Sequence, residues 1–226
     1  MTQNAVLRLR QARLRSSTRP FLARGSRIKR CQHCLLPLQH CLCDCYQPQS
    51  ARSQFCIVMF DTEPLKPSNT GRLIADILPD TQAFSWSRTE PSPELLACVT
   101  QRAFQPLVIF PASYVHNDRE VLTAPPVCGK PPLFIMLDGT WSEARKMFRK
   151  SPWLDEFPVL SLTSMQPSDY QLRERQMPGQ HCTAEVASEL LAQAGDLTAA
   201  KALKDYFHLF RDRYMSLKNH LSREPE

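Results

Sequence analysis

Asp138 closes the apolar run Leu133-Phe134-Ile135-Met136-Leu137 and is followed by Gly139-Thr140-Trp141. A carboxylate there can accept a proton or orient an N–H group, and an indole three residues on can stack on a flat ring such as a nucleobase. Behind them Arg145 and Arg149 are four apart, as are Lys146 and Lys150, so four cations share neighbouring faces of one helix. A second set is sulfur. Cys31 and Cys34 form one close pair, and Cys41 and Cys43 another, six residues further on. Two thiolate pairs on tight turns suit one tetrahedral Zn²⁺, and a closed four-thiolate site is structural because it leaves no open position. His33, His40 and Cys45 are possible substitutes for any one ligand. The scattered Cys56, Cys98, Cys128 and Cys182 read as small buried hydrophobes.

These groups need elements to hold them. The run at 133–137, bounded by Pro131-Pro132 and Asp138-Gly139, predicts a strand covered on both faces. Thr140 and Glu143 predict a capping box that starts a helix, and Pro152 predicts its end near Lys150. Asp138 then lies at the C-terminal edge of a sheet, where ligands bind in open α/β folds. Further short strands are expected at 55–60, 83–86, 107–110 and 158–162. Helices are expected at about 5–15, after Ser68 or Asn69 as cap, at 92–102, at 183–194 and at 199–219. The helix start around Asn69 and Thr70 offers backbone N–H groups to an anion. Residues 112–130 read as loop with one short helix near Asp118, and 163–181, with Arg173 and Arg175, as a long functional loop. Strands alternating with helices predict a mostly parallel sheet with helices on both faces, an α/β domain over 54–220. It follows a cysteine-rich zinc module at 31–46 and a basic arm at 1–30.

The arm dominates the charge. The chain carries +6 overall, yet residues 1–30 hold eight arginines, one lysine and no acid, so the remainder is net acidic. Such a segment suits a polyanion, with RNA the first partner; Arg24, Arg27, Lys29 and Arg30 are its candidates, beside Arg145, Lys146, Arg149 and Lys150. An organellar transit peptide or a solvated extension are the other readings of an arginine-rich, acid-poor N-terminus. No apolar run is long enough for a membrane span and there is no secretory core, so a cytoplasmic protein without a membrane partner is expected. Nine cysteines, an odd number with five packed between Cys31 and Cys45, favour a metal in a reducing compartment over disulfides. Neither a GxGxxG turn nor a Walker loop is present.

The string Asp138-Gly139-Thr140-Trp141 with Glu143-Ala144-Arg145-Lys146-Met147 resembles the signature of the DTW-domain family. So do the cysteine cluster, Lys66-Pro67-Ser68-Asn69-Thr70-Gly71-Arg72 and Cys182-Thr183-Ala184-Glu185. The resemblance spans roughly 20–215. It implies a SPOUT-like fold with a C-terminal trefoil knot, and transfer of the 3-amino-3-carboxypropyl group of S-adenosylmethionine to N3 of a uridine in tRNA, releasing methylthioadenosine. Asp138 and Trp141 are then the catalytic candidates. Asn69, Thr70, Leu160, Ser161, Thr183 and Glu185 are the candidates for binding the donor. Arg72, Arg145 and Lys146 are candidates for the donor carboxylate or RNA phosphates. A zinc-containing RNA-binding protein without catalysis, and an S-adenosylmethionine-dependent RNA methyltransferase, are the alternatives.

Overall fold

The apolar runs become the middle of a parallel sheet. A computed structural model describes residues 3–18, 28–116, 119–162 and 181–221, the last with side chains through Ser216. Its strands are β1 (Gln54–Met59), β2 (Gln82–Ser85), β3 (Gln105–Ile109), β4 (Val121–Leu122), β5 (Pro132–Asp138) and β6 (Val159–Leu160). They form one six-stranded sheet in the order β2-β1-β5-β3-β6-β4, every neighbouring pair parallel. The helices are α1 (Ala5–Arg15), α2 (Gly71–Ile77), α3 (Pro93–Val99), α4 (Trp141–Arg149), α5 (Thr183–Gln193) and α6 (Leu197–Leu221).

Alternation along the strands divides the core into two layers. Phe55, Ile57 and Met59 of β1, with Phe134 and Met136 of β5, face α1, α2, α5 and α6. Cys56, Val58, Leu133 and Ile135 face α3 and α4. Both faces of β1 and β5 are covered, which is why these strands read as continuous apolar runs. Phe55 lies opposite Phe134, ring centroids 5.2 Å apart, a pairing worth about 0.5–1.5 kcal/mol beyond its area.

Two expectations need correction. Residues 112–130 are not all loop: Val121–Leu122 forms the edge strand β4, with a 3₁₀ turn at Ala112–Tyr114. Two residues are too few to show a period. Residue 118 and the stretch 163–180 lie outside the described residues. The cap of α2 is Thr70 by position, but Asn69 supplies the side chain, accepting from the Arg72 N–H at 3.0 Å.

The N-terminal helix packs on the domain rather than standing off it. Val6 and Leu7 are buried. Asn4 caps α1, accepting from the Leu7 N–H at 2.8 Å, and donates to Asp76 of α2 at 2.6 Å. Arg10 donates to the Leu65 carbonyl at 2.7 Å, and Arg13 pairs with Asp61 at 2.6 Å. Two of the arm's cations thus hold the loop that leaves β1.

Candidate active site and metal centre

Asp138 ends β5 at the C-terminal edge of the sheet, and the residue is 2 % exposed. Asn69 donates its amide to one carboxylate oxygen at 2.6 Å, and the Thr183 hydroxyl donates to the other at 2.5 Å. Asn69 precedes α2 and Thr183 opens α5, so one carboxylate joins the ends of three elements far apart in sequence. Gly71 sits so close that a Cβ there would lie 2.7 Å from Asp138 Oδ2. Only a residue without a side chain lets the first turn of α2 approach the carboxylate.

The polar contacts continue outward. Asn69 also meets Glu63 at 3.2 Å, and Lys66 donates to Glu63 at 2.5 Å. Lys66 lies 3.8 Å from Glu143. Glu143 accepts from the Thr140 N–H and hydroxyl, both at 2.7 Å, completing the expected capping box of α4. Glu63 is fully buried, and sequence reasoning passed it over because a Glu after a strand usually faces water. Its signal was the following Lys66 and Asn69, spaced to turn back on it.

Among the expected donor-binding residues, Asn69, Thr70, Thr183 and Glu185 converge here. Thr70 is buried, and burial pushes the Cys182 thiol up from its ordinary pKa. Glu185 accepts from the Cys182 N–H at 2.8 Å. Leu160 fills the core, while the Ser161 hydroxyl accepts from the Ala112 N–H at 3.0 Å and ties the ends of β6 and β3 together. These two stand at the far side of β3 from β5.

Trp141 is half-buried in an aromatic group. Its ring stacks on Phe110 at 5.7 Å and meets Tyr114 edge-on at 5.5 Å, and Phe148 stacks on the other neighbour of the group, Phe110, at 4.2 Å. Arg145, Lys146, Arg149 and Lys150 are all exposed along α4. Arg145 lies 5.9 Å from the Tyr114 ring centre, and Lys146 5.6 Å from Phe60 and 5.8 Å from Trp86. Arg72 does not join them. It is 1 % exposed, pairs with Asp76 at 2.6 Å and lies over Phe210 of α6, so it holds the helix layer rather than reaching a donor or RNA. Lys29 is exposed; Arg30 is half-buried and donates to the Leu35 carbonyl at 3.1 Å. Arg24 and Arg27 lie outside the described residues.

The four predicted thiols come together: the sulfurs of Cys31, Cys34, Cys41 and Cys43 all lie within 4.8 Å of one another. Cys31 and Cys43 are 3.5 Å apart, Cys34 and Cys41 3.7 Å. Zn–S bonds of about 2.3 Å at tetrahedral angles set sulfurs roughly 3.8 Å apart, so the group fits a metal ion such as zinc. Cys45, offered as a substitute, instead meets Arg213 at 3.6 Å. Leu35, at φ 58, turns the chain after the first pair. Leu36 and Leu42 are fully buried in the same layer as α6, and Arg213 donates to the Cys41 carbonyl. The module is therefore wedged into the domain.

A parallel α/β domain with a four-cysteine module and a carboxylate hub at its strand edge is the class these features define. Residues 28–215 match the family model of the DTW domain, and the chain belongs to that family. It is 23 % identical over 172 residues to tRNA-uridine aminocarboxypropyltransferase 2 of Drosophila melanogaster, covering 74 % of this chain and 67 % of that one. It is 28 % identical over 179 residues to the protein of the same name from Macaca fascicularis, covering 74 % and 57 %. The chain thus spans between about half and two thirds of the length of these relatives. No solved structure gives a significant match. Among the described residues no helix is long and apolar enough to cross a membrane.

Proposed function

We propose that this protein transfers the 3-amino-3-carboxypropyl group of S-adenosylmethionine to N3 of a uridine in tRNA. The carrying observation is convergence. The stretches that make up the family signature at 66–72, 138–147 and 182–185 are separate in sequence, yet they meet around the Asp138 carboxylate. Family membership and the relatives' names support the same reading.

In this reaction the N3 lone pair of uridine attacks the propyl carbon next to sulfur. The C–S electron pair stays on sulfur, the sulfonium becomes neutral methylthioadenosine, and the weakly acidic N3 proton leaves to water. The sulfonium activates all three of its carbons, so the protein must select one by position. Asp138, already accepting from Asn69 and Thr183, serves better as an organiser of base and donor than as a sink for the proton. Trp141 supplies a flat face for a ring of base or donor. Asn69, Thr70, Thr183 and Glu185 shape the donor side, with Leu160 and Ser161 joining from β6. The cations of α4, with Arg24, Arg27, Lys29 and Arg30, meet tRNA phosphates. Zinc in the Cys31, Cys34, Cys41 and Cys43 site would be structural, and we place the protein in the cytoplasm, where thiolates stay reduced. The insertion of β6 between β3 and β4 is compatible with the knotted SPOUT-like connection that the resemblance implies.

The test is transfer of label to tRNA. Donor labelled in its carboxypropyl portion should mark uridine, and Asp138→Ala should reduce this at least about 100-fold. Label arriving only from the methyl group would make the protein a methyltransferase. RNA binding with no transfer from either position would make it a binding protein.

A further inference from the structure

A cleft of about 280 Å³ opens beside α4, lined by Phe110, Tyr114, His116, Ser142, Arg145, Phe148 and Arg149. Its floor is aromatic. Phe110 is 5 % exposed and stacks on both Phe148 and Trp141, with Tyr114 edge-on to it at 5.7 Å. Its rim is cationic and polar: Arg145, Arg149, His116 and Ser142 are exposed, and among the described residues no acid lines it. Flat walls beneath two guanidinium groups match a nucleotide, whose base stacks and whose phosphate takes charged N–H donors.

Position decides which nucleotide. The Asp138 carboxylate is bound from the α2 and α5 side of the sheet, whereas the cleft belongs to the layer of α3 and α4. Trp141 packs against the cleft's floor without lining the cleft itself. At about 280 Å³ the cleft lies just under the range of roughly 300–1,000 Å³ typical of ligand pockets. It suits one base with its phosphate better than a donor made of purine, ribose and amino-acid arm.

We propose that this cleft is a second nucleotide subsite, holding a residue that flanks the modified uridine on the RNA strand. Its base stacks on Tyr114 and its phosphate lies between Arg145 and Arg149. The subsite extends the reading above from a single target base to a short single-stranded stretch. That suits recognition of RNA loops, whose unstacked bases can be splayed onto aromatic side chains.

The experiment measures affinity of the whole protein for bulk tRNA and, separately, for S-adenosylmethionine. Tyr114→Leu keeps an apolar filler but removes the stacking face, and should weaken tRNA binding by about 5- to 100-fold. Arg145→Ala combined with Arg149→Ala should weaken it as well and reduce the salt slope of binding by roughly 1–2. Donor affinity should stay within about twofold. Folded variants, shown by unchanged melting, that bind tRNA as the parent does would overturn the subsite. So would variants that lose donor and keep tRNA, since the cleft would then be the donor's. Lowered tRNA affinity in a protein that transfers no aminocarboxypropyl group would leave the subsite standing and reject the reaction.

Discussion

At the scale of single residues, a buried carboxylate fed by an amide and a hydroxyl tolerates little change in either donor. Asn69→Ala should destabilise the protein by about 1–3 kcal/mol, because Asp138 loses a donor it cannot replace with bulk water. Denaturant unfolding measures this. Asn69→Asp should be worse near neutral pH, since it sets a third carboxyl beside Asp138 and Glu63. Like charges raise the folded pKa of one of them, so the variant's deficit should be smallest below about pH 4 and grow as pH rises. Gly71→Ala brings a methyl to 2.7 Å from Asp138 Oδ2; a stability loss of about 1–3 kcal/mol and a drop in transfer are expected. Asp138, Trp141 and the Thr140–Glu143 box were legible in sequence because a strand end, a cap and a helix follow one another without a gap. Glu63 and Arg72 were not. Burial of a charge depends on what packs over it, and α6 closes over Arg72 from the other end of the chain.

Among the elements, α1 is the one whose role changed most between sequence and structure. Its arginines looked like a surface for RNA, yet Arg10 and Arg13 grip the loop at 61–65. Arg13 holds the Asp61 carboxyl below its ordinary pKa through a direct hydrogen bond. A lowered carboxyl pKa gives a contribution present above the unfolded value of about 3.9 and lost as pH falls through the folded one. Asp76, pushed up by burial despite Arg72, has the opposite sign and loses its contribution as pH rises. Arg13→Ala should therefore speed hydrogen exchange in α1 at pH 7 and make little difference in strong acid. Exchange measured by mass spectrometry at both pH values checks it. The apolar strands β1, β3 and β5 were readable because each is covered twice. Order in the sheet was not, since local period carries no information on which strand lies beside which.

For the whole molecule, the four-cysteine module is a structural part of the domain, sharing its core layer with α6. Metal content should be about one zinc per chain. Cys34→Ser, at the most buried of the four candidate ligands, should remove it and lower the melting temperature by roughly 10 °C or more. Metal analysis with thermal unfolding reads both; full stability without metal would reject the assignment. The spacing of the four cysteines showed this group plainly. What it could not show was that Leu36, Leu42 and Arg213 wedge it in place.

The meeting of Asn69, Asp138 and Thr183 at one point also has a consequence for biosynthesis. A nascent chain leaves the ribosome with the amide first, the acid next and the hydroxyl last. Any product that stops short of α5 holds a carboxylate without the Thr183 hydroxyl and a sheet face that lacks two of its covering helices, α5 and α6. Partial chains should thus be recognised as unfolded by proteases, and full-length protein alone should accumulate in the cell.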